Sequence, residues 1–77
     1  MIFVTKKDCE LLYEEFKEYY DKADQAEFIL LKFLDDKIKY TIENYDKLSQ
    51  DDLKDMFVCI YKVIGDETKE NKYREIQ

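Results

Sequence analysis

The sequence predicts an all-α fold, and two features of the chain carry that prediction. The 77 residues contain no proline and one glycine, so little in the chain breaks a helix or forms a tight turn. Apolar residues also recur at steps of three or four, which places them on one side of an α-helix. The first such run consists of Cys9, Leu12, Tyr13, Phe16, Tyr19, Tyr20 and Ala23. We expect a small three-helix bundle with the second helix at its centre.

The first helix is expected to begin after Thr5 and to end near Lys22. Thr5 and Asp8 have the spacing of a capping box, with Asp in place of the usual Glu. Val4 precedes the cap, at the position of a hydrophobic staple. The start of this helix is therefore specified locally.

A second helix is expected from Asp24 to about Lys47, and it is nearly in phase with the first. A single helix of about 43 residues would be about 65 Å long and would need a second chain to bury its apolar stripe. A hairpin broken near residues 21–24 buries the same stripe within one chain, and Glu27 interrupts the stripe at that point. Connections of this length between antiparallel helices are common, so the hairpin is favoured.

The third helix is expected to begin after Ser49 and to end at Gly65. The Ser49 hydroxyl can cap the first amides, and Asp51 and Asp52 lie at the positive end of the helix dipole. Gly65 suits a left-handed cap. The apolar pattern stops there, so residues 66–77 form a polar tail, either a short fourth helix or a frayed end. Residues 1–77 then make one domain, with 1–4 as an N-terminal segment.

The second helix carries an additional apolar face made of Ala26, Ile29, Phe33 and Tyr40. This face is covered either by two neighbouring helices of the bundle or by residues 1–4. Alternatively Ile29, Phe33 and Tyr40 form the seam of a dimer, because an uncovered apolar patch of that size is unusual on a monomer. The chain is therefore expected to be a monomer or a homodimer.

The composition removes most catalytic sites. The chain has no histidine, so the commonest general base and the usual nucleophile pairs are missing, and one glycine cannot form a phosphate-binding loop. Cys9 and Cys59 lie beside apolar helical faces and are expected to be reduced, buried thiols. We expect no enzymatic activity, no cofactor and no metal site.

The length of the apolar runs predicts a cytoplasmic protein without a membrane partner. No run approaches the roughly 18–20 residues that cross a bilayer. The apolar residues 1–4 are also too few for the apolar region of a signal peptide.

Acidic residues concentrate on the first helix. Between Asp8 and Glu27 there are eight acidic residues and two lysines, an excess equal to the net charge of −6 of the whole chain. Like charges four residues apart destabilise a helix slightly, so this ridge indicates use by a partner. Leu11 lies among these carboxylates, opposite the apolar stripe. The predicted partner-binding residues are Glu10, Leu11, Glu14, Glu15, Glu18 and Asp21.

This charge predicts a protein target with a basic surface and argues against direct binding of nucleic acid, because nucleic-acid binders carry basic patches. In size, acidity and residue usage the whole chain resembles the small proteins that phages and mobile elements encode to block a larger protein. That resemblance implies an inhibitor of a nucleic-acid-handling or host-defence protein, similar to an anti-CRISPR protein. The alternative is a dimerising structural or regulatory protein that uses the second apolar face.

Overall fold

Four α-helices and two single turns of 3-10 helix account for most of the fold. A computed structural model of the protein describes residues 3–74, and no strand occurs in that range. The α-helices are Lys6–Asp21 (α1), Phe28–Glu43 (α2), Gln50–Ile64 (α3) and Glu67–Arg74 (α4). The 3-10 turns, Gln25–Glu27 and Tyr45–Lys47, stand at the two ends of α2. The all-α prediction is confirmed.

The start of α1 has the predicted capping box. The Thr5 hydroxyl accepts a hydrogen bond from the Asp8 amide at 3.1 Å, and the Asp8 carboxylate accepts one from the Thr5 amide at 3.0 Å. Val4, at the staple position, is fully buried. The helix ends at Asp21, with Lys22 as its C-terminal cap.

The chain forms a hairpin between α1 and α2, so the single long helix does not occur. The Tyr20 ring near the end of α1 meets the Phe28 ring at the start of α2, with centroids 5.6 Å apart. A second contact joins Tyr13, seven residues before Tyr20, to Asp35, seven residues after Phe28. The two helices are therefore antiparallel. The predicted start at Asp24 differs from the structure: its side chain caps nothing, and a 3-10 turn intervenes before α2.

The C-terminal end of α2 lies earlier than Lys47. Both the backbone amide and the side-chain amide of Asn44 donate to the Tyr40 carbonyl, each at 2.9 Å. An asparagine that uses its side chain in this way satisfies the last turn and competes with further helix. The chain then makes the Tyr45–Lys47 turn and enters the next cap.

Both predicted ends of α3 are confirmed. The Ser49 hydroxyl accepts from the Asp52 amide at 3.1 Å. Gly65 has a φ of 89°, a left-handed conformation that costs glycine little, and its amide donates to the Tyr61 carbonyl at 2.9 Å.

Most of the polar tail folds as α4, which packs against α3. The carboxylate of Asp66 accepts a hydrogen bond from the Lys69 amide at 3.1 Å and so caps the new helix. Tyr73 is buried, and its ring centroid lies 4.8 Å from that of Phe57 and 5.9 Å from that of Tyr61. Residues 75–77 of the predicted tail lie outside the described residues.

The core is built from one side of each helix. α1 packs against both α2 and α3, and α3 also packs against α4, so the closest helix packing does not centre on α2. This differs from the expectation of a central second helix, and the reason is visible on α2, where one side carries only solvent-exposed residues. The buried apolar residues are Val4, Cys9, Leu12, Phe16, Leu31, Leu34, Ile38, Leu53, Met56, Phe57, Ile60, Tyr61 and Tyr73.

The N-terminal segment runs along the start of α3 and not over α2. Val4 is hydrogen-bonded to the side chains of Gln50 and Tyr45, while Phe3 remains exposed. Residues 3 and 4 therefore do not cover the second apolar face; residues 1 and 2 are not among those described.

The cysteine expectation holds for Cys9, which is buried, and is wrong for Cys59, which is exposed on α3.

Candidate functional site

The residues predicted to bind a partner lie along one outer side of α1. We call the set Glu10, Leu11, Glu14, Glu15, Glu18 and Asp21 the acidic face. All of them except Glu15 are exposed, and 48% of the surface of Leu11 is accessible to solvent. The opposite side of the helix buries Cys9, Leu12 and Phe16. The geometry of α1 thus brings five carboxylates and one exposed leucine onto a single surface.

Glu15 differs from the rest of the acidic face because it has a partner within the chain. Its carboxylate accepts a hydrogen bond from the Lys69 ammonium of α4 at 2.8 Å, and both side chains are about two-fifths exposed. This contact raises the pKa of Lys69. The same ammonium lies 5.4 Å from the centre of the Tyr61 ring, within the range of a cation–π contact. Glu15 therefore ties α1 to α4 and offers only part of its carboxylate to a partner.

Leu11 separates two shallow hollows of different character. One, of about 260 Å³, is lined by Leu11, Glu14, Glu15 and Glu18. The other, of about 200 Å³, lies towards α3 and α4. Its lining comprises Asp8, Leu11, Glu15, Phe57, Tyr61, Lys69, Lys72 and Tyr73. A side chain seated over Leu11 can thus meet carboxylates on one side, and aromatic rings with lysines on the other.

The aromatic and basic part of this surface was missed by the sequence reasoning. Tyr61 stands one residue after the apolar stripe position Ile60, and Tyr73 is the single aromatic residue in a polar segment. The structure brings both beside Leu11 because α4 folds back onto α3.

The second apolar face remains exposed. We call Ala26, Ile29, Phe33 and Tyr40 the α2 apolar face. The exposed fraction is 85% for Ile29, 64% for Phe33 and 60% for Tyr40, and Ala26 is exposed as well. Leu30 is 54% exposed beside them. Within residues 3–74, neither a helix nor the N-terminal segment covers this face.

A buried carboxylate lies on the other side of α2, towards α1. Asp35 is 7% exposed, and one of its oxygens lies 3.2 Å from the Lys39 ammonium. The other oxygen, Oδ1, is buried and accepts no hydrogen bond from residues 3–74. Burial raises the pKa of Tyr13, and the neighbouring Asp35 carboxylate raises it further. Tyr13 of α1 and Asp35 of α2 thus form a polar contact between the two helices.

Within residues 3–74, no group of three or more His, Cys, Asp or Glu side chains is positioned to hold a metal ion. None of the helices there is both long enough and apolar enough to cross a membrane. Comparison with known protein families, with curated proteins and with solved structures finds no match for this chain.

Proposed function

We propose that this protein is a non-enzymatic interaction module that binds a protein with a basic surface through the acidic face of α1. One observation carries the proposal: Leu11 is about half exposed in the middle of a surface whose other members are all carboxylates. An apolar anchor with carboxylates along one side is a suitable docking site for a partner that presents an apolar pocket beside basic side chains.

The two kinds of residue have separate roles in this proposal. Leu11 enters an apolar pocket of the target and loses its contact with water, which favours the bound state. Glu14 and Glu18 lie next to it and meet lysine or arginine side chains around that pocket. Such rim charges act mainly on the rate of association and its salt dependence.

Stability of the isolated chain does not account for the acidic face. Glu10, Glu14 and Glu18 follow each other at intervals of four residues, and each like-charged pair costs about 0.2–0.5 kcal/mol. None of these three side chains forms an ion pair among the described residues. A helix surface that served only folding would place lysines between them.

The proposed class of target is a nucleic-acid-handling or host-defence protein, because such proteins carry basic grooves that a regular row of carboxylates can occupy. The module would then inhibit by occupying the groove, in the manner of anti-CRISPR proteins, in the cytoplasm. The absence of histidine and of glycine-rich loops supports a role without catalysis.

The test compares the natural chain with three variants for binding to proteins captured from a candidate host. One variant carries Glu14→Lys and Glu18→Lys, and a second carries Leu11→Ser. A control carries Glu43→Lys and Asp46→Lys, which changes the net charge equally at exposed positions elsewhere. Affinity for each captured protein is measured by calorimetry at low and high salt.

We expect both acidic-face variants to weaken binding by at least about tenfold. The charge variant should also lose most of the salt dependence, while the control keeps the affinity of the natural chain. Equal affinity for all versions would remove the acidic face as the binding site.

A further inference from the structure

We propose that two copies of this chain associate through the α2 apolar face, as an antiparallel pair related by a two-fold axis near residue 34. The inference is independent of the proposed function, because the acidic face lies on α1. Its starting point is Ile29, Phe33 and Tyr40, each between 60% and 85% exposed. Contiguous apolar side chains on an isolated helix face mark an interaction surface.

The size of the face matches a small symmetric interface. An aromatic side chain can bury roughly 150–250 Å², and two aromatic rings here are accompanied by Ile29, Leu30 and Ala26. The face therefore offers on the order of 500 Å² of apolar surface per chain, near the upper end for a monomer. Two copies would bury on the order of 1,000 Å² together, the threshold at which a specific interface becomes stable.

The spacing of the apolar residues is self-complementary. Ile29 lies five residues before position 34 and Tyr40 lies six after it, while Phe33 lies beside it. When a second α2 is laid antiparallel across that point, Ile29 of each copy meets Tyr40 of the other. The two Phe33 rings then meet at the centre. The exposed Lys37 lies beside Tyr40 on this side of the helix, so the apolar contacts are those of Ile29, Phe33 and Tyr40.

The charges next to the seam identify the occupant as a second copy. Lys32 and Asp36 are exposed, lie on the same flank of α2, and form no ion pair among the described residues. They stand two residues on either side of position 34. In the antiparallel pair each Lys32 therefore lies opposite the partner's Asp36, and the contact occurs twice. A parallel pair would place the two flanks on opposite sides of the seam, so Lys32 of one copy would not meet Asp36 of the other.

The overall charge of −6 does not oppose this association, because the acidic excess lies elsewhere. Between Phe28 and Tyr40 the sequence has three lysines and two aspartates, so the approaching surfaces are close to neutral. Repulsion between the two acidic faces is weakened by salt at separations beyond about 10 Å. Salt also weakens the attraction between Lys32 and Asp36, so we expect association to depend little on salt.

The first test is sedimentation equilibrium of the full chain over roughly 1 to 500 µM, where interfaces of this size dissociate. We expect a monomer–dimer equilibrium with a dissociation constant on the order of micromolar. Phe33→Ser should weaken it by at least about tenfold. The matched control is Phe3→Ser, which removes an equally exposed Phe from another surface and should leave the equilibrium unchanged. Circular dichroism checks that both variants fold.

The second test addresses the register. Lys32→Asp and Asp36→Lys should each weaken self-association by about tenfold, because each creates two like-charged contacts. When the two variants are mixed, both contacts between positions 32 and 36 join opposite charges again. The mixed dimer should therefore exceed both parent dimers, an effect that a change within one helix cannot produce.

Three results would overturn the proposal. The natural chain could remain monomeric throughout the concentration range, or it could form assemblies larger than a dimer, which an isologous contact does not allow. Unchanged association of both charge variants would equally exclude the antiparallel register. Binding of a different protein at Phe33 with higher affinity than the second copy would also overturn the proposed homodimer.

Discussion

The side-chain amide of Gln50 makes two hydrogen bonds with the backbone of Val4, although 46 residues separate them in the sequence. The Val4 amide donates to Oε1 at 2.8 Å, and Nε2 donates to the Val4 carbonyl at 2.9 Å. The Tyr45 hydroxyl donates to the same carbonyl. The Gln50 side chain thus pairs with both the amide and the carbonyl of Val4, as the backbone of a neighbouring β-strand would. Because these backbone groups have hydrogen-bond partners, Val4 can be fully buried.

Replacement of Gln50 by alanine should therefore destabilise the fold. The Val4 amide would lose its acceptor in a partly buried site, which costs about 1–3 kcal/mol. Gln50→Glu should also destabilise the fold at neutral pH, because a carboxylate still accepts from the Val4 amide but cannot donate to the Val4 carbonyl. The free energy of unfolding is measured by urea titration, with Gln25→Ala as an exposed control within about 0.5 kcal/mol of the natural chain. Equal stability of Gln50→Ala and that control would contradict the role of this contact.

The ion pair between Glu15 and Lys69 should contribute little to stability, in spite of its short distance. Both side chains are about two-fifths exposed, and exposed pairs contribute about 0.2–1 kcal/mol. A double-mutant cycle with Glu15→Gln and Lys69→Gln isolates the pairwise energy from other losses. We expect that energy to fall further in molar salt. A coupling above about 2 kcal/mol would show that the pair is far less hydrated than its exposure indicates.

Truncation of Tyr73 should unfold α4. The helix has eight residues, too few to be stable alone in water, and Tyr73 is its one buried side chain. Tyr73→Ala removes the contacts with Phe57 and Tyr61 and should cost about 3–5 kcal/mol. Tyr73→Phe keeps the ring and should be nearly neutral, since the Tyr73 hydroxyl forms no hydrogen bond with any residue from 3 to 74. Limited proteolysis measures the unfolding of α4. We expect cleavage within residues 67–74 in Tyr73→Ala and not in Tyr73→Phe. Equal resistance of the two variants would contradict the role of the Tyr73 ring.

The features that the sequence predicted well are local. The capping residues Thr5 and Ser49 and the terminal glycine Gly65 act on amides or carbonyls within about four residues, so a short stretch of sequence contains all the partners. The burial of Tyr73 depends on Phe57, which belongs to another helix. No pattern within residues 66–77 contains that information.

The same division applies to the candidate surfaces. Helical periodicity alone predicts that Glu14 and Glu18 point away from the stripe of α1, and the structure leaves both exposed. The pairing of Glu15 with Lys69 joins residues 54 positions apart and required the fold. The exposure of the α2 apolar face also depends on the path of other segments. Periodicity shows that a second apolar face exists, but not which neighbour covers it.

The two cysteines should differ strongly in reactivity. Cys59 is exposed on α3, whereas Cys9 is fully buried on α1. A thiol reagent such as Ellman's should therefore modify one thiol of the native protein quickly and the second only at the rate of unfolding. Cys59→Ser identifies the fast thiol, because the rapid phase disappears in that variant. A native protein with two equally fast thiols would contradict the burial of Cys9.

Stability should fall in alkaline solution, in part through Cys9. Burial, with smaller contributions from Asp8 and Glu10, raises the pKa of its thiol to about 11. In the unfolded chain the thiol ionises near pH 8.5. Between those values the unfolded state binds fewer protons than the native state, so the free energy of unfolding decreases as pH rises. Urea titrations across that pH range should show a smaller decrease in the free energy of unfolding for Cys9→Ala than for Cys59→Ala. Buried Tyr61 titrates in the same direction in both variants, so parallel curves would show that Cys9 contributes nothing.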